Sequence, residues 1–248
     1  MANPVAQFVI EKKIPFEIGG VDLSFTNSAV WMTLGIIISV TFLSIAMKKK
    51  ELVPGRMQMT AELLYEFVAK MVKENIGPKG RSFFPFIFTL FIFVLMGNLL
   101  GLLPKSFTYT SHLAVTGALA LTVFFAVIIF GFINHGVKFL SMFVPSGVPW
   151  WILPIIIPIE LISFFVRPLT LSVRLFANMM AGHIMLKIIA GFAVAAAGLG
   201  GVGVAVGFAP AFIGMLMLLF ELLVALIQAY VFAILSCVYL KDAVDLHH

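Results

Sequence analysis

Residues 167–187 read RPLTLSVRLFANMMAGHIMLK. They set Arg167, Arg174, Asn178, His183 and Lys187 among side chains that otherwise belong in hydrocarbon. A charge near the centre of a bilayer costs roughly 2.5 to 3.5 kcal/mol even on the lenient insertion scale, so such a residue implies something facing it. An arginine sharpens this, because its guanidinium stays protonated at any accessible pH and cannot escape the cost by neutralisation as a lysine can. Arg174 is a fixed positive charge.

The surrounding chain makes a membrane setting the only consistent one. Of 248 residues, 62% are hydrophobic and 11% charged, with 26 phenylalanines, and the mean hydropathy is +1.13. These values lie outside the range of soluble domains and indicate an all-α polytopic membrane protein. The net charge of +5 does not imply a nucleic-acid partner, because the basic residues cluster beside apolar spans, where they set orientation. Cys237 is the single cysteine, so an internal disulfide is excluded and the residue reads as packing. No small-residue cleavage site follows an apolar core at the N-terminus, so no cleaved signal peptide is expected. No metal-ligand set or cofactor is expected.

Taken in order, 1–27 forms an outer segment and 28–47 a first span of about 30 Å, enough to cross the hydrocarbon. Between Lys48 and Arg81 lie eight of the sixteen basic residues, which assigns the loop 48–82 to the cytoplasm and the N-terminus to the outside. Within it, Met57 to Ile76 is bounded by Pro54-Gly55 and Gly77-Pro78. Ala61, Leu64, Val68, Met71 and Val72 at helical spacing make it an amphipathic helix, lying at the interface or against partner helices. A hairpin over 83–134 follows, whose Gly97-Asn98-Leu99-Leu100-Gly101 permits close helix contact. The segment 149–240 is apolar with embedded polar residues and a run AGLGGVGVAVG from Ala197 to Gly207 that favours a turn between two long helices. This gives five crossings and a cytoplasmic tail, 241–248, all within one membrane domain. Ile188 to Val206 is apolar enough for a sixth, but the lysine bias agrees better with an odd number.

Glu160, Arg167 and Arg174 are spaced by seven, so each successive residue drifts only about 20° around a helix and all three share a stripe. Asn178 joins them at i+4, whereas His183 lies about half a turn away and faces elsewhere unless Pro168 bends the helix. On the second helix Glu221 and Gln228 share a face. In an antiparallel pair, residues of constant index sum meet. His183 with Glu221 and Arg174 with Gln228 both centre near 201 or 202, where composition places the turn. The expectation is a His/Glu layer near the outer turn and an Arg/Gln layer deeper, with Glu160 towards the cytoplasmic end. Arg174 lies about 42 Å of helix from the turn, so a mid-membrane position, about 15 Å from either face, requires a strongly inclined hairpin.

With VPGRMQMTAELLYEFV from Val53, LMGNLLGLLP from Leu95, RPLTLSVRLFANMMAGH from Arg167 and LLVALIQAYVFAILSCVYL from Leu222, the chain resembles the a-subunit family of F-type ATP synthases over nearly its whole length. The resemblance implies a non-catalytic subunit of the bacterial inner membrane forming two offset proton half-channels against a ring of c subunits. Peripheral-stalk b-type subunits and the other ATP synthase subunits are its implied partners, with the lipid bilayer around it. By the same resemblance Arg174 matches the arginine facing the ring, with Asn178 and Gln228 beside it. Glu160 matches an acidic position of the cytoplasmic half-channel, and His183 and Glu221 the acid/histidine pair of the outer one. That pair favours protons over Na⁺.

Blander roles stand beside these. Arg167 pairs with Glu160 or a lipid phosphate, Lys187 snorkels, and Asn98, His112, Asn134 and His135 serve interhelical or loop contacts. His247 and His248 read as a solvated tail. A secondary transporter would show paired repeats, and none is found. An intramembrane hydrolase would need an HExxH or GxSxG, and neither occurs.

Overall fold

The computed structural model describes residues 8–15, 17–18, 21–22, 24–48, 51, 53–103, 106–144, 149–198 and 201–244, with only the backbone of 17–18, 21–22 and 201–205 considered. Five of its helical segments are long and apolar enough to cross a membrane by length and composition: Asn27–Ala46, Pro78–Gly101, Leu113–Phe143, Leu153–Ala197 and Val206–Val244. The chain is an all-α polytopic membrane protein. Ahead of the first span, two small antiparallel hairpins pair β1 (Lys12–Ile14) with β4 (Phe25–Thr26) and β2 (Glu17–Ile18) with β3 (Val21–Asp22). Helix α1 (Asn27–Ala46) follows directly. Asn27 ties the hairpin to it, donating from Nδ2 to the Val9 carbonyl at 3.0 Å while Oδ1 accepts from Ser28 N–H at 2.9 Å.

The amphipathic expectation holds for α2 (Arg56–Ile76), which buries Ala61, Val68, Met71, Val72 and Ile76 along one stripe. Gly77 ends it at φ 83°, a left-handed conformation that side chains with a Cβ rarely adopt. A 3-10 turn, Pro78–Phe83, leads into α3 (Phe84–Gly101). Helix α4 (Leu113–His135) runs into another 3-10 segment, Gly136–Phe143. The last two elements are α5 (Leu153–Ala197, 45 residues) and α6 (Gly201–Val244, 44 residues). Pro158 and Pro168 lie inside α5 without interrupting it.

Helix α6 begins within the glycine-rich run. Gly198 leaves the helix, Leu199 and Gly200 lie outside the described residues, and Gly201–Gly207 is already helical. Ile188–Val206 therefore straddles the turn, which removes the sixth crossing. Helix α6 continues to Val244, into the segment 241–248. His247 and His248 lie outside the described residues.

The described residues fall into two units. One comprises the chain up to Ser39, Phe93–His112 and Leu175–Ala229; the other comprises Val40–Ile92, Leu113–Arg174 and Tyr230 onward. In the second unit, aromatic pairs such as Phe83 with Phe130 and Phe124 with Phe164 fill the space between helices, at centroid distances of 4.8 and 5.0 Å. There α4 also holds the end of α6. Asn134 Nδ2 donates to the Ala243 carbonyl at 3.5 Å, and His135 Nε2 lies 3.1 Å from that of Val244, two acceptors that a helix end would otherwise leave unmet. Cys237 is fully buried, as packing requires.

Candidate functional site

In the first unit, a chain of polar side chains converges on His183. The imidazole lies between α6 and the connection after α3, with Nδ1 3.5 Å from Glu221 Oε1 and Nε2 2.9 Å from Thr108 Oγ1. The Glu221 side chain is 5% exposed and that of His183 11%, so the pair is screened from solvent. The ring of Phe8 stands edge-on to the imidazole at 6.4 Å. Thr108 Oγ1 also lies 3.3 Å from the Gly101 carbonyl. A hydroxyl has one proton. When Thr108 donates it to Gly101, Nε2–H must donate to Thr108, leaving Nδ1 to face Glu221 Oε1 at 3.5 Å, longer than a hydrogen bond.

Absent side chains make this seat possible. A Cβ at Gly182 would sit 2.6 Å from Glu221 Oε1, well inside contact distance. At Gly97 it would strike the Tyr109 ring at 2.6 Å, and at Gly101 the Thr108 side chain at 2.6 Å. The GxxxG therefore admits its own following connection rather than another helix. Tyr109 is anchored there by donating to the Phe93 carbonyl at 2.9 Å. Nearby, Asn178 Nδ2 donates to Gln228 Oε1 at 2.9 Å, and fully buried Asn98 donates to the Ala225 carbonyl at 3.1 Å.

In the second unit, Arg167 bonds Asp242 at 2.5 Å and lies over the Tyr239 ring, 5.4 Å from its centroid. Glu160 is half-buried. Arg174 is exposed and makes no hydrogen bond or ion pair among the described residues. Its exposed neighbours on the same helix include Leu169 and Val173, so the cation emerges on an apolar surface. No group of three His, Cys, Asp or Glu suited to a metal ion occurs among the described residues.

A sequence profile described as ATP synthase A chain matches residues 29–241. Over 246 residues the chain is 51% identical to ATP synthase subunit a of Mesorhizobium japonicum, covering 99% of this chain and 98% of that one. Over 247 residues it is 51% identical to ATP synthase subunit a of Rhodospirillum rubrum, covering 100% of each. The chain belongs to the ATP synthase A chain family.

In this family member the structure brings together one of the expected pairs and gives Gln228 and Arg167 other partners. His183 meets Glu221, as the index sums require. Gln228 meets Asn178, four residues on from Arg174, because facing positions recur only every three or four residues on each helix and a constant sum is therefore approximate. Arg167 pairs with Asp242 rather than Glu160. Glu160 is one stripe position away on the same helix, while α6 extends far enough to bring a closer carboxylate. His183 and Arg174 have different surroundings, one enclosed and one exposed, in keeping with their half-turn separation. Thr108, Gly182 and Asp242 were not singled out from the sequence. The only signal for Thr108 was its place just after a recognisable block.

Proposed function

We propose that this chain is the non-catalytic a-type subunit of the membrane sector of a proton-translocating F-type ATP synthase, which couples proton flow to rotation. One observation carries the reading: Arg174, permanently charged and without an acidic partner in its own chain among the described residues, stands exposed on an apolar span. A cation so placed requires a carboxylate supplied by a neighbour. A c subunit in a rotating ring supplies one each time it passes.

Protons enter through an outer half-channel and reach His183 and Glu221, where one proton shifts between Nδ1 and Oε1 while Thr108 holds the far side of the ring. They pass to a ring carboxylate, whose neutral form can turn through lipid. After nearly a full turn that carboxylate meets Arg174. Two unit charges at 4 Å in an effective dielectric of 20 attract by about 4 kcal/mol, roughly a thousandfold in proton affinity. The proton is released and leaves past Glu160. Asn178 and Gln228, bonded to each other, line the passage near the arginine. Because Arg174 is always charged, it separates the two half-channels and opposes a direct leak.

Peripheral-stalk b-type subunits are the other membrane partners in this reading, and the residence is a bacterial inner membrane, with the N-terminus outside and the C-terminus in the cytoplasm. Reconstituted ATP synthase carrying Arg174→Ala tests it. Proton pumping and synthesis are lost while the complex still assembles; retained coupled flux refutes the assignment.

A further inference from the structure

Within the second unit, a cavity of about 520 Å³ opens where α2 turns into the second span, lined by Tyr65, Ala69, Val72, Lys73, Gly77, Pro78, Arg81, Phe84 and Pro85. Its lining holds two cations and no carboxylate. Glu74, beside Lys73 in sequence, is 3.9 Å from Lys70, and neither Lys73 nor Arg81 makes an ion pair among the described residues. The rest of the wall is apolar and leads somewhere. Tyr65 packs on Phe84 at 4.6 Å, and Phe84 stacks on Phe88 at 5.5 Å, so an aromatic rail runs from the cavity along α3 into the apolar span.

A site with cations at one end and an aromatic track at the other matches an anionic amphiphile. We propose that this cavity binds an anionic phospholipid, with its phosphate held by Lys73 and Arg81 and an acyl chain lying along Tyr65, Phe84 and Phe88. A free phosphate would use the cations alone and leave the rail bare. A zwitterionic lipid would bring its own cation against two more. Basic residues near a membrane surface each contribute about 1 kcal/mol towards anionic lipid, or about fivefold in affinity. None of the lining residues belongs to the proposed proton path, so failure here leaves the translocation reading untouched.

The test is native mass spectrometry of the full chain in neutral detergent, titrated with phosphatidylglycerol or with phosphatidylcholine of identical acyl chains. Phosphatidylglycerol is expected to be retained preferentially. Lys73→Gln and Arg81→Gln each weaken it about fivefold, whereas Lys138→Gln, outside the cavity, does not. The charge-retaining pair Lys73→Arg and Arg81→Lys keeps binding and guards against a folding defect in the neutral variants. Millimolar inorganic phosphate leaves the lipid in place. In the assembled complex, a photoreactive phosphatidylglycerol labels peptides between Tyr65 and Pro85. Equal retention of both lipids, full displacement by phosphate, or a partner polypeptide cross-linked there in place of lipid would each overturn the proposal.

Discussion

Gly182 sets how closely α6 can bring a carboxylate to the imidazole one residue further on. Gly182→Ala places a methyl carbon where Glu221 Oε1 would have to move by several tenths of an ångström. Misplacement on that scale cuts proton flux by at least about tenfold. Gly191 on the same helix faces open space, so Gly191→Ala leaves flux unchanged, and ATP-driven pumping in vesicles compares the two. At the other end of the ring, Thr108→Val keeps the shape but removes the acceptor for Nε2–H. A half-buried donor left unmet costs about 1 to 3 kcal/mol. The expected result is slowed proton uptake with a lowered melting temperature, both restored in Thr108→Ser. If valine behaves like serine, the hydroxyl does not hold the imidazole.

Between elements, the Arg167–Asp242 bond joins α5 to the last turn of α6. Each side chain is about one-third exposed or less, so the bond lies between surface pairs of negligible worth and buried ones that are costly to break. A double-mutant cycle with Arg167→Gln and Asp242→Asn, read from thermal denaturation, should give a coupling of about 1 kcal/mol. Additive single effects would remove the bond from any account of the hairpin's stability. Asp242 also shows where sequence reading stops. The stripe Glu160, Arg167 and Arg174 is visible because helical periodicity is written in residue spacing, and the His183–Glu221 meeting follows from antiparallel counting about a glycine-rich turn. Thr108 and Asp242 obey neither rule. One sits on a connection with no period, and the other in a helix end whose charged residues resemble a tail until α4 donates to its final carbonyls.

For the molecule as a whole, spans, sidedness and site are linked by helix length. A helix of 45 residues measures about 67 Å, against a hydrocarbon thickness of about 30 Å. We propose that α5 is strongly inclined, which keeps Arg174 at depth despite its distance from the turn. Spin labels stepped along α5 should show oxygen contact over well more than the roughly twenty residues an upright helix exposes to lipid. The same single-site scan can report sidedness, because the one native thiol, Cys237, is buried. Probes at Lys48 react from the cytoplasmic side and at Leu103, exposed just past the end of α3, from the outside. The reverse would invert the assignment of both half-channels. The number and order of spans were legible in hydropathy, whereas the division between the environments of Arg174 and His183 needed the packed helices.

The pairs His183–Glu221 and Asn178–Gln228, with Asn98 on the Ala225 carbonyl, act together as keys in a shaft. Sliding α6 by one turn, about 5.4 Å, would unseat all three at once and strand their polar atoms in an apolar setting. Creep under load is thereby opposed in discrete notches rather than by friction. A part that must stand still while its neighbour revolves gains from that a fixed datum, against which each passing acid is presented at the same height.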